Sequence, residues 1–174
     1  VKNVEKLIVK VFRINALNYY RAEGLEVDTD IHLDGLVART ERVETYDEPA
    51  MRRVKRGFDF PQLAEPGVYV VEFIGNGISS RALVRKGKLR YVSRPGVAGQ
   101  VLTVFGAANE KVPDARAYLG GHEYAADDRG EIVVPYSTNP GRKKIVLARG
   151  EFATLDTLDH KAEQYVLHAG IFVE

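Results

Sequence analysis

Apolar and polar positions along the chain alternate in short runs separated by turn residues. Leu7-Ile8-Val9-Lys10-Val11-Phe12-Arg13-Ile14 is the first such run. Val27, Thr29, Ile31 and Leu33 then alternate with Asp28, Asp30, His32 and Asp34. That period of two predicts a strand with apolar side chains on one face and acids on the other. Val68 to Ile74 is β-branched and aromatic, as a buried strand requires. Gly75-Asn76-Gly77 separates it from Ile78 to Val84 and predicts a hairpin, because Gly and Asn tolerate positive φ. Lys86-Gly87-Lys88 predicts a further turn and Leu89 to Val92 a third run, giving a meander of antiparallel strands.

Arg94-Pro95-Gly96-Val97-Ala98-Gly99 reads as a linker, punctuated by Pro and Gly. A second set of strand-like runs follows: Gln100 to Phe105, Ala115 to Leu119, Ile132 to Pro135, Lys144 to Ala148 and Tyr165 to Val173. Gly120-Gly121 and Asp127-Asp128-Arg129-Gly130 supply turns between them. Only Phe152, Leu155, Leu158, Ala162 and Tyr165 fall near helical spacing, which predicts a loop with a short helix there. Strands without alternating helices predict an all-β fold. The expected architecture is two tandem immunoglobulin-like or macroglobulin-type β-sandwiches, residues 1–94 and 95–174. Each half is small for a self-sufficient domain, so the two are expected to lean on each other.

Composition narrows the function classes. The 174 residues carry 25 Lys and Arg against 24 Asp and Glu, a net charge of +1, so no global field attracts nucleic acid. The longest apolar runs span only a few residues, as in Val68-Tyr69-Val70-Val71, and predict no membrane insertion. There is no Cys, which excludes disulfides, thiolate-bound zinc, iron–sulfur clusters and thiol nucleophiles. No signal peptide is legible. The start at Val1 and the apolar run near the end are what a piece of a longer protein would show.

Few residues suggest chemistry. Asp30-x-His32-x-Asp34-Gly35, with Glu41 in the twelfth position, approaches a calcium loop. His32 replaces an oxygen ligand, and the alternating flank reads as an exposed acidic strand face instead. His122-Glu123-Tyr124-Ala125-Ala126 begins like a zinc-protease helix, but Ala126 stands where the second His is needed, and Gly120-Gly121 favours a hairpin tip. His160, Glu163 and His168 fit no standard metal spacing. Ser79 lacks the closing Gly of a nucleophile elbow, and no glycine-rich loop ends in Lys-Ser or Lys-Thr. No enzyme and no cofactor are therefore expected. Arg52-Arg53-Val54-Lys55-Arg56 is a basic cluster that also reads as a dibasic processing site. Arg81, Arg85, Lys86, Lys88, Arg90 and Arg94 surround Tyr91; with acids nearly as numerous, they read as edge-strand charges that block aggregation. Tyr19 and Tyr20, with His122 and Tyr124, are the candidates for stacking on a carbohydrate, although the chain has no Trp. The simpler reading of the tyrosine pair is a strand end with one ring in and one out.

Pro66-Gly67-Val68-Tyr69-Val70-Val71-Glu72-Phe73, then Ser80-Arg81-Ala82-Leu83-Val84, then Leu89-Arg90-Tyr91-Val92-Ser93 resembles the end of a macroglobulin domain, the β-sandwich repeat of alpha-2-macroglobulin-like proteins. Lys111 to Leu119 and Tyr124 to Ile132 resemble steps of the next repeat, a pattern shared with carboxypeptidase regulatory-like domains of transthyretin type. The resemblance implies a non-catalytic structural or interaction module within a large exported protein, periplasmic, cell-surface or extracellular. Its partners would be other domains of the same parent and a protein such as a protease. The family's chemistry sits in a Cys-Gln thioester, which this chain lacks, so no catalytic residue carries over.

Overall fold

Leu7, Val9 and Val11 are buried on one side of the first strand, and Phe12 and Ile14 on the other. A strand buried on both faces belongs in the middle of a sheet, and that is its place. The computed structural model describes residues 2–49 and 51–164. In chain order the elements are β1 (Lys6–Ile14), α1 (Ala16–Glu23), β2 (Thr40–Thr45), β3 (Gly67–Gly75), β4 (Ile78–Lys86), β5 (Arg90–Pro95), β6 (Gln100–Phe105), β7 (Arg116–Leu119), β8 (His122–Ala125), β9 (Glu131–Val134), β10 (Gly141–Arg149) and β11 (Phe152–His160). The strands form antiparallel sheets ordered β2-β1-β3-β4, β11-β10-β7-β8 and β5-β6-β9. The fold is all-β.

The second and third sheets make a seven-stranded sandwich. Leu102 and Val104 of β6 and Ile132 and Val134 of β9 face Ala117 and Leu119 of β7 and Ile145 and Leu147 of β10 in one core. Opposite the first sheet there is no second sheet among the described residues. One face, with Val9, Val11, Tyr69 and Val71, is covered by Tyr46, Phe58, Phe60 and Leu63. Phe58 lies 5.3 Å from Phe73, centroid to centroid, and the Arg42 guanidinium sits over Phe58 and Phe60. The other face packs against α1, the segment after it and the sandwich.

The hairpin at 75–78 forms as expected. Gly75 pairs with Ile78, leaving Asn76 and Gly77 at φ 52 and 76, the positive values a type I′ turn needs. The Asp127 turn also forms: its Oδ1 accepts from the amides of Arg129 and Glu131, each at 2.9 Å.

Three expectations are corrected. Residues 94–99 are not a linker: Arg94 and Pro95 end β5, and residues 96–99 are the turn of the β5–β6 hairpin. Leu89 already belongs to the sandwich core, and its amide donates to Thr154 Oγ1 at 2.9 Å. The short helix expected after Phe152 is β11, paired with β10 along its length. Ala153 and Leu155 pack toward α1 while Phe152 and Leu158 pack into the sandwich, and burial on both faces produces the near-helical spacing. Finally, 27–33 is not a strand. Val27 and Leu33 are buried and the acids exposed, but Thr29 is exposed as well, and the segment lies across a sheet face rather than along its edge. Its carbonyls are taken by arginines of β4: Arg81 donates to Ile31 O at 2.9 Å and Thr29 O at 3.3 Å, and Arg85 to Val27 O. The run Tyr165 to Val173 and His168 lie outside the described residues.

Candidate functional site: the seam at helix α1

Helix α1 follows from its bracketing residues. Asn15 caps it, its side chain accepting from the Asn18 amide at 3.0 Å. Gly24 ends it in the left-handed conformation at φ 60, its amide donating to Tyr20 O at 2.9 Å. Between them, Ala16 and Tyr20 stand one turn apart and both are buried.

That face closes a joint between the first sheet and the sandwich. Phe12, Ile14, Val68 and Val70 from the first sheet and Ala16 and Tyr20 from α1 share one apolar cluster with Tyr118, Val146, Ala148 and Ala153 of the sandwich. Polar contacts fix the rim. The Arg21 guanidinium lies 4.6 Å from the centroid of the Tyr118 ring, and Lys144 Nζ donates to Gly24 O. A cleft of about 510 Å³ lies beside the joint, lined by Tyr20, Arg21, Tyr118, Lys144, Val146 and Leu155 among others.

Tyr20 is 3% exposed, and its hydroxyl donates to Glu26 Oε2 at 3.0 Å. Burial, and then the Glu26 carboxylate, push its phenol from 10.0 up to about 12. Below pH 10 both folded and unfolded chains keep this proton. Between pH 10 and about 12 the unfolded chain releases it while the folded chain holds it, so stability falls as pH rises. Tyr20→Phe is expected to cost about 1 kcal/mol at neutral pH, from the lost hydrogen bond. It should also flatten the decline above pH 10. Urea titrations of both proteins from pH 8 to 11.5 check this; parallel declines would clear Tyr20 of the effect.

The four stacking candidates lie on two elements, α1 and β8. Tyr20 is a core residue of α1, and Tyr19, half-buried beside it, meets it edge to face at 6.2 Å. His122 and Tyr124 lie on β8, 6.5 Å apart, and Tyr124 packs against the sandwich core. The expected strand end at Tyr19 and Tyr20 is a helix. Asp30 and Asp34 lie in exposed turns after α1, with Asp28 Oδ1 accepting from the Asp30 amide at 2.9 Å, while Glu41 on β2 pairs with Lys10 at 3.3 Å. Among the described residues, no group of three or more acidic or His side chains could hold a metal ion. A ring nitrogen of His160 meets Pro135 O at 2.8 Å. Of the basic clusters, Arg81 pairs with Glu72 at 2.9 Å besides holding the segment after α1, Arg85 pairs with Glu26 at 3.3 Å, and Arg94 pairs with Glu131 at 2.8 Å. Arg52, Arg53 and Lys55 are exposed on the loop before β3.

Sequence reasoning missed the joint itself. The signal was present in Asn15 and Gly24 around eight residues with Ala16 and Tyr20 at helical spacing. On the sandwich side, adjacent apolar residues such as Tyr118-Leu119 and Val146-Leu147 mark strands with both faces buried.

These features define an all-β chain in which a seven-stranded sandwich is joined to a sheet-and-helix unit. Residues 7–87 match the model of the AbpF first immunoglobulin-like domain. The whole chain aligns with Actin-binding protein F of Dictyostelium discoideum, 40% identical over 181 residues. It spans only 8% of that relative's length. Among solved structures it shares its fold with native alpha-2-macroglobulin from Escherichia coli, in a crystal structure spanning domains MG0-NIE-MG1. The TM-score is 0.50 at 15% identity, over 92% of this chain and 56% of that one. No described helix is long and apolar enough to cross a membrane.

Proposed function

We propose that the chain is a non-catalytic, fixed-angle spacer within a longer actin-binding parent. It divides at Lys86-Gly87-Lys88, where the immunoglobulin-like match stops and the sandwich core begins with Leu89. The observation that carries the reading is the shared apolar cluster at α1, which joins the two units through buried side chains rather than a free linker. Similarity to one relative across all of the chain agrees with both units being kept together. Actin filaments are cytosolic, so this relationship favours a parent that works inside the cell. The exported protease trap is supported by fold likeness alone.

Co-sedimentation with actin filaments tests the reading. The 174-residue chain is expected to stay in the supernatant while the longer parent pellets, and its two units should tumble with one correlation time by NMR relaxation. Saturable pelleting of the chain alone would make it an actin-binding site rather than a spacer, and two correlation times would remove the fixed angle.

A further inference from the structure

A strand at the end of a sheet offers its outward N–H and C=O groups to any strand that matches them. Each sheet of this chain has two such ends. β8 and β9 are only four residues long, and β5 stops at Pro95. β4 carries Arg81, Arg85 and Lys86, and β11 carries Asp156 and Asp159. Short length, proline and uncompensated charge all discourage pairing. β2 lacks these guards. It runs six residues, Thr-Glu-Arg-Val-Glu-Thr, without Pro, Gly or Lys. Its two acids are already compensated, Glu41 by Lys10 and Glu44 by Arg42. Val43, between the charges, is 47% exposed. Among the described residues β1 is the one strand paired with β2.

The ladder to β1 fixes which groups of β2 are free. The Tyr46 amide donates to Glu5 O at 2.9 Å, one step beyond the Lys6–Thr45 pair. Bonds to β1 therefore recur at Glu44, Arg42 and Thr40, and the backbone groups of Glu41, Val43 and Thr45 point outward. An antiparallel partner has to set its own outward residues against these three. A second copy does so about Val43, with Val43 against the copy's Val43 and Glu41 against the copy's Thr45. The same register sets Arg42 opposite the copy's Glu44 and Glu44 opposite the copy's Arg42, in the closer pairs that share no hydrogen bond. Within one chain Arg42 Nε lies 3.5 Å from Glu44 Oε1, so the four charges alternate in sign around a square. A slip of two residues is the smallest that keeps the outward groups matched. In one direction it sets Arg42 against Arg42, and in the other Glu44 against Glu44. The charge order of β2 thus accepts a copy of itself in one register and rejects the neighbouring ones.

We propose that β2 is a self-association edge: two copies of the chain pair their β2 strands antiparallel about Val43, making one continuous sheet across a two-fold axis. The pairing is independent of the joint at α1 and of actin. Sedimentation equilibrium of the 174-residue chain between about 1 μM and about 1 mM is expected to show monomer and dimer in exchange. Val43→Pro removes an outward N–H and leaves the bonds to β1 in place, and it is expected to weaken the dimer at least about tenfold. Glu44→Lys keeps every backbone donor but faces the copy's Arg42 with a like charge, and it is expected to weaken the dimer at least about tenfold as well. The chain has no Cys, so Val43→Cys introduces a unique thiol at the axis. A short bis-maleimide should join its copies faster than those of Ile78→Cys, 74% exposed on β4 at the far end of the same sheet. A chain that stays monomeric at every concentration overturns the proposal. So does a dimer that Glu44→Lys leaves intact, or equal cross-linking at the two thiol sites.

Discussion

Gly99→Ala is expected to lower the unfolding midpoint by on the order of 10 °C, a loss of about 3 kcal/mol or more in a chain of this size. Gly99 sits at φ 153, which side chains rarely adopt. A Cβ there would lie 2.1 Å from Val134 O and 2.8 Å from Pro135 Cα. Both are backbone atoms, so no side chain can swing aside, and β9 itself must retreat from β6. The next residue, Gln100, pairs with Val134 and holds Asp159 and Lys161, so the retreat disturbs two sheets at once. Gly57→Ala is the matched control: its φ is ordinary and nothing lies within 4 Å of a Cβ there. Its midpoint should stay within about 2 °C of wild type, with any gain coming from a less flexible unfolded chain. Calorimetry of the three proteins decides. A Gly99→Ala midpoint equal to the control's would mean that β9 does not approach this turn so closely.

The strands and tight turns were legible because their causes are local. Asn76-Gly77 dictates a turn wherever it stands between β-branched runs. The error at 94–99 has the opposite origin. Pro95 and Gly96 mark a break in the chain, but whether a break joins domains or strands depends on partners such as Val134, distant in sequence. The segment 27–33 shows the same limit. Its alternation matched burial at Val27 and Leu33, while the side chains that take its carbonyls, Arg81 and Arg85, are fifty or more residues away. Those two arginines had looked like edge-strand charges, and β4 is indeed an edge strand. Their reach across the sheet face is a tertiary fact that spacing does not carry. Among the candidate residues, Tyr20 is a buried anchor of the joint.

Ala148→Arg is expected to uncouple the two units. Ala148 is 1% exposed, within the cluster that α1 and the first sheet share with the sandwich. It pairs with Ala153 on one side and with Arg116 on the other, so the new guanidinium meets a like charge and no carboxylate partner in its strand register. Burying such a charge unpaired costs several kcal/mol, more than the joint can absorb without opening. The sandwich keeps its own closed core, with Leu102, Ile132, Ile145 and Leu147 on facing strands. The first unit depends more on the joint, because Phe12, Ile14, Tyr20, Val68 and Val70 lose their cover when it opens. Wild type should therefore melt in one transition and Ala148→Arg in two, the first unit unfolding at the lower temperature. Protection of β1 and β3 amides from exchange should fall while that of β6 and β10 persists. Ala125→Arg, on the exposed edge strand β8, controls for added charge and should retain a single transition. If Ala148→Arg also melted once, at the wild-type midpoint, the cluster at α1 would not bind the units together, and a spacer of fixed angle would lose its physical basis.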